Sequence, residues 1–242
     1  MKRKIFFIAA AVLVAIALIA ALLLLPKGNM PPVPDSTEPT EIAEQTLPAT
    51  VEDKLDRSVN LGYGLYMTEV GSYTGPFLED GSDEFVSNVL MIRVTNKGET
   101  GIEYANISLA VKDGQASFTL SALLPGETAV LLETNRRPFD SMEDYQYPLL
   151  DTPALFTKEL SLQEDKLSVQ LLEGGMNVTN ISGSAIEGEI KIYYKNKQQG
   201  VYYGGITYCQ RIAGNLEKDA MFQVISEHIH KGNTEIVFIT VG

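Results

Sequence analysis

His228 and His230 flank Ile229. On a strand, residues two apart share a face, so the imidazoles would stand about 6.5 Å apart, a gap a metal ion can bridge. Two ligands do not complete a site, and Glu227 falls on the opposite face; the plainer reading is a polar strand edge. Cys209, in Ile206-Thr207-Tyr208-Cys209-Gln210, would be a nucleophile only if a neighbouring strand delivered His228 or His230 as its base. Otherwise a lone cysteine behaves as a small buried hydrophobe. Glu79-Asp80-Gly81-Ser82-Asp83-Glu84 gathers four carboxylates, a composition that suits calcium. Its spacing does not match a D-x-D-x-D-G loop, and the plainer reading is a solvated acidic turn. Tyr193, Tyr202, Tyr203 and Tyr208 form the candidate interaction surface, because alternation exposes some rings and Gly204-Gly205 lets another backbone approach closely. Against that stands a reading in which these rings fill a core or pair across strands. No nucleophile elbow, zinc helix motif or phosphate-cradling loop occurs, and no catalytic, cofactor or metal residue is assigned.

Whatever these residues do, short strands must position them. From Asn60 onward the chain shows alternating runs cut by turn residues and no sustained helical period. Leu90, Ile92 and Val94 share one face of a strand ending at Asn96-Lys97-Gly98. Ile107, Leu109 and Val111 share another before Asp113-Gly114, a strong hairpin signal. Phe118 and Leu120 alternate with Ser117 and Thr119, and Pro125-Gly126-Glu127 turns the chain into Ala129 to Thr134. The order then recurs about 84 residues on. Val94-Thr95-Asn96 matches Val178-Thr179-Asn180, and Ile102-Glu103 matches Ile186-Glu187 at the same distance. In the second copy Ile190, Ile192 and Tyr194 face one way, with Tyr193 and Lys195 the other.

The other end of the chain is a different material. Residues 5–25 contain 21 apolar residues without a charge, and at about 1.5 Å each a helix of that length matches the ~30 Å core of a bilayer. Lys2, Arg3 and Lys4 precede it and acidic residues follow, so the N-terminus is expected in the cytoplasm and the remainder outside. A cleaved signal peptide is the competitor, but Leu22 to Leu25 occupy the place of the small residues a cleavage site needs. Residues 26–56, with six prolines among Thr and Glu, read as a disordered stalk. With the three cytoplasmic cations set aside, 16 basic residues face 31 acidic ones, a net of −15. Such a surface excludes nucleic acid as a partner. One cysteine excludes a disulfide framework.

Gly175-Met176-Asn177-Val178-Thr179-Asn180, followed by Ile190-Lys191-Ile192-Tyr193-Tyr194, resembles the FxLYD domain, a small extracytoplasmic β-sandwich of bacterial envelope proteins. Tyr194 stands where that family has Asp, and the family's Pro-Gly-Glu turn occurs only in the first copy. Anchor, stalk and two such units are similar to the layout of membrane proteins of Gram-positive anaerobes. The resemblance implies a fold and an extracytoplasmic location, and no catalytic residues. The expected fold is therefore all-β: two tandem small Ig-like or FxLYD-like sandwiches preceded by one transmembrane helix. The segments are a cytoplasmic stub at 1–4, a transmembrane signal anchor at 5–25, the stalk at 26–56, a first sandwich at 57–137, a connector at 138–157 and a second sandwich at 158–242. The bilayer is a partner through residues 5–25, and a cell-envelope protein or wall component is the expected ligand of a non-catalytic binding protein. The alternatives are a hydrolase with Cys209, His228 and His230 between the domains, or a structural accessory subunit of an envelope complex.

Overall fold

A computed structural model describes residues 54–141 and 145–242. The stub, anchor and stalk expected at 1–56 lie outside those residues, apart from the last three positions of the stalk. What is described is all-β, as the alternation predicts, with fourteen strands in several sheets and no helix among the described residues.

The first half begins with β1 (Lys54–Gly62), β2 (Leu65–Phe77) and β3 (Glu84–Asn96), and continues with β4 (Ile102–Val111), β5 (Gly114–Leu123) and β6 (Thr128–Leu132). The Asp113-Gly114 signal produces the hairpin it predicts, with Val111 opposite Gly114 across the β4–β5 turn. Segment 138–157, read as a connector, supplies β7 (Tyr145–Leu150) and β8 (Ala154–Leu155), both paired with β4. Leu90, Ile92 and Val94 from β3 meet Ile107 and Leu109 from β4 and Phe118 and Leu120 from β5 in one buried cluster. The sheets carrying β3 and β4 are thus packed face to face, their inward residues spaced by two as the pleat requires.

The second half repeats this plan with β9 (Leu167–Leu172), β10 (Gly175–Asn180), β11 (Ile190–Gln198), β12 (Val201–Ile212), β13 (Met221–Ile225) and β14 (Thr234–Val241). Strand order makes the duplication visible: β2-β3-β6 over β5-β4-β7 in the first half, β9-β10-β13 over β12-β11-β14 in the second. Ile190, Ile192 and Tyr194 point into the second cluster together with Met176 and Val178.

The halves do not hang as separate beads. Strand β6 pairs in parallel with β12, so one seven-stranded sheet, β1-β2-β3-β6-β12-β11-β14, runs through both. That parallel pairing lasts only from Tyr202 opposite Ala129 to Tyr203 opposite Val130. Parallel strands separated by this much chain are invisible to local alternation.

Candidate functional site

The repeated Val-Thr-Asn signature has a structural task. Asn96 and Asn180 are both fully buried. Asn96 Nδ2 donates to the carbonyls of Thr100 and Leu123, each at 3.0 Å, while its Oδ1 accepts the Gly98 N–H at 2.9 Å. Asn180 does the same, donating to Ser184 and Leu216 at 2.7 and 2.8 Å and accepting from Ser182. Each asparagine ends a strand by tying its loop to the facing sheet, which satisfies buried backbone groups. The backbone N–H groups of Asn96 and Asn180 in turn donate to Glu127 and Ala220. Residues 217–220 therefore form the counterpart of the Pro125-Gly126-Glu127 turn, with Asp219 (φ 59°) in the left-handed position that Gly126 (φ 82°) holds in the first copy.

The candidate chemical residues disperse. His228 and His230 lie in the β13–β14 loop, not on a strand. His228 Nδ1 pairs with Asp83 at 2.8 Å, and His230 Nδ1 with Glu173 at 3.1 Å. The His230 contact, with the Lys231 N–H, holds the Glu173 carboxyl below its usual range. Cys209 sits opposite Tyr193 in the β11–β12 ladder, while its neighbour Tyr208 sits opposite Tyr194 and stacks on His228 with centroids 4.6 Å apart. Successive strand residues face opposite ways, so the Cys209 thiol and the His228 imidazole occupy different faces of the sheet. The four carboxylates of the acidic loop also part company. Asp80 and Glu84 both pair with Arg136, Asp83 takes His228, and Glu79 turns inward. Among the described residues no group of three or more His, Cys, Asp or Glu converges as a metal site would require.

Glu79 is the residue that sequence reasoning missed. Where β6 and β12 splay beyond their two paired positions, its carboxylate accepts the Leu132 N–H at 2.8 Å and the Gly205 N–H at 2.9 Å. Lys195, 1% exposed, meets the carbonyl of the same residue, donating to Gly205 O at 3.0 Å and to Ser121 O at 2.8 Å. Burial pushes the Glu79 carboxyl up to about 7, opposed by those backbone donors. Burial pulls the Lys195 ammonium down to about 7, with the Glu79 charge acting against the fall. Desolvation outweighs pairing in both, as expected of ions taken out of water. Glu79 left no signal because its neighbours are acidic and it read as part of a solvated turn; Lys195, on the face opposite Tyr194, read as a strand's outer charge.

The glycine pair beside them admits a close approach, but from this same chain. A Cβ on Gly205 would stand 1.7 Å from the Thr119 carbonyl oxygen in β5, and one on Gly204 2.8 Å from Leu78. The tyrosines divide accordingly. Tyr202 is corrected from surface to core: it is 1% exposed, inserts from β12 into the first half's cluster and donates its hydroxyl to Glu235 at 2.6 Å. That burial drives its hydroxyl pKa upward. Tyr203 packs partly buried beside Tyr73, Phe77 and Leu132. Tyr208 is held between Tyr194 and His228, its hydroxyl buried without a hydrogen-bond partner among the described residues.

Tyr193 lines a concavity. It stacks on Phe238 with centroids 4.2 Å apart, and Phe156 meets Phe238 edge to face at 5.5 Å. These three rings floor a cleft of about 750 Å³ between β5, the outer face of β11, β12 and β14, and the segment 156–163. That segment is fixed at both ends, Phe156 N–H donating to Gly101 O at 3.0 Å and Ile239 N–H to Ser161 O at 2.8 Å. Glu103, Lys158, Glu159, Ser121 and Thr207 supply the polar rim. An apolar aromatic floor with a few polar groups around it is the usual composition of a ligand site, and this volume lies in the usual range.

Comparison of the chain with family models, with curated proteins and with solved structures finds no match.

Proposed function

We propose that this chain is a single-pass membrane protein, N-terminus in the cytoplasm, that displays two FxLYD-like sandwiches outside the cell and binds an envelope component there without transforming it. The carrying observation is the cleft floored by Tyr193, Phe238 and Phe156. The apolar run at 5–25 and the cations before it support the anchoring and its direction. The shared strand plan of the halves supports duplication of a small sandwich unit. A non-catalytic role accords with the placement of Cys209 and His228 on opposite faces of the sheet.

The test is photocross-linking in intact cells from a benzophenone side chain placed at Thr157, an exposed residue of the cleft wall. A discrete adduct from Thr157, absent when the group is moved to exposed Glu217 on the far turn, supports the reading. The same pattern from both positions, or none from either, contradicts it.

A further inference from the structure

We propose that two copies of this chain join edge to edge through β13, the strands running antiparallel about a twofold axis at Gln223. The internal duplication carries the argument. Strand β13 is the second-half counterpart of β6: β6 follows the Gly126 turn and pairs with β3, and β13 follows the Asp219 turn and pairs with β10. Thr95 opposite Thr128 and Thr179 opposite Met221 align the two strands residue by residue. In the first half the outer edge of β6 is covered by β12, a strand from another module of the same kind, at Ala129 and Val130, and by the Glu79 carboxylate at Leu132. In the second half no strand covers β13 among the described residues.

The side chains record the difference. Leu132 and Ala129 of β6 are fully buried, whereas their counterparts Ile225 and Phe222 are 81% and 45% exposed, and Met221 is 60% exposed. The hydrogen-bond phase agrees. Asn180 N–H donates to Ala220 O, and Ser226 N–H to Gly174 O. Alternation then turns the N–H and C=O groups of Met221, Gln223 and Ile225 outward. The strand reads Met-Phe-Gln-Val-Ile, without the charge or proline that keeps exposed edges from pairing.

Twofold pairing at Gln223 sets Met221 against Ile225 of the second copy, Phe222 against Val224, and Gln223 against itself. It satisfies about six main-chain hydrogen bonds. No like charges meet within the five paired residues. An interface of one short strand per copy belongs to the weak class, so the contact is best read in cells rather than in dilute solution.

The full chain carrying Cys209→Ala and Gln223→Cys, produced in intact cells and treated with a short bis-maleimide, is expected to give a product of twice the chain mass. Ser168→Cys, on the opposite edge strand β9, is expected to give several-fold less. Adding Ile225→Glu to Gln223→Cys is expected to abolish the product while leaving thermal unfolding unchanged, since Ile225 contributes little to the core. Equal yields at 168 and 223, survival of the product in Ile225→Glu, or cross-linking only to a chain of different mass would each overturn the proposal. Dimerisation through the apolar N-terminal run alone gives the first of these patterns.

Discussion

Asn180 shows how much one buried amide can hold. Its substitution by Ala removes one donor from each of the carbonyls of Ser184, Leu216 and Glu217, which keep the Ser182 hydroxyl, the Ile186 N–H and the Ala220 N–H respectively, and takes from the Ser182 N–H its acceptor. The expected cost is about 1–3 kcal/mol, that of one unsatisfied N–H together with the lost amide contacts to carbonyls that stay paired. Asn106→Ala, which loses only an exposed contact with the Tyr104 hydroxyl, should stay within about 0.5 kcal/mol. Urea unfolding of the two variants checks the contrast. Glu79 gives a pH-dependent counterpart. Its folded carboxyl, near 7, lies above the usual 4.5, so its contribution is largest below about pH 4.5 and is lost as pH rises to 7. Lys195 lies below its usual 10.5, so its penalty lifts as pH rises from 7 to 10.5. Relative to the native chain, Glu79→Gln should therefore gain stability steadily from pH 4.5 to 7, and urea midpoints across that window will show whether it does. A flat difference would contradict a carboxyl raised by burial. The asparagines were legible in the sequence because spacing repeats them. Glu79 was not, because its partners come from β6, β12 and β11, which only the folded chain brings together.

At the scale of elements, the seam between β6 and β12 is where packing tolerance is least. Gly205→Ala would drive a methyl into the Thr119 carbonyl of β5, so β12 must shift away from β5 and disturb the Glu79 and Lys195 contacts to the N–H and C=O of this residue. The expected loss is about 2–3 kcal/mol, in the range of overpacking a tight site. Gly232→Ala, which meets nothing within 4 Å, should be nearly neutral, and thermal melts of the pair will separate the two outcomes. Alternation made most strands readable: Leu90, Ile92 and Val94 are inward, as are Phe118 and Leu120. It also misplaced the histidines, because Ser226–Asn233 forms a loop anchored by Ile229 in the core, and a buried isoleucine between two polar residues resembles a strand. The turn at 217–220 escaped notice since Asp219 replaces glycine there, and residue identity hides a shared backbone conformation.

For the whole molecule, the proposed reading is an N-terminal anchor carrying a duplicated β body that binds an envelope component in its cleft. Composition alone separated the apolar run, the proline-rich stretch and the acidic β body, because each has a different physical relation to water. The cleft was beyond reach of the sequence: Tyr193, Phe238 and Phe156 come from two strands and a crossing segment. The most direct measurement is the rate at which a membrane-impermeant maleimide labels Thr240→Cys in the cleft wall and Ser168→Cys on exposed β9. Both sites are placed in a Cys209→Ala chain, and each rate is measured in intact native cells and on the purified full chain. Ser168→Cys is expected to label equally in both settings, and Thr240→Cys several-fold more slowly in cells, as occupancy of the cleft by the proposed envelope ligand requires. Failure of Ser168→Cys to label in intact cells, or equal rates for Thr240→Cys in the two settings, would contradict it.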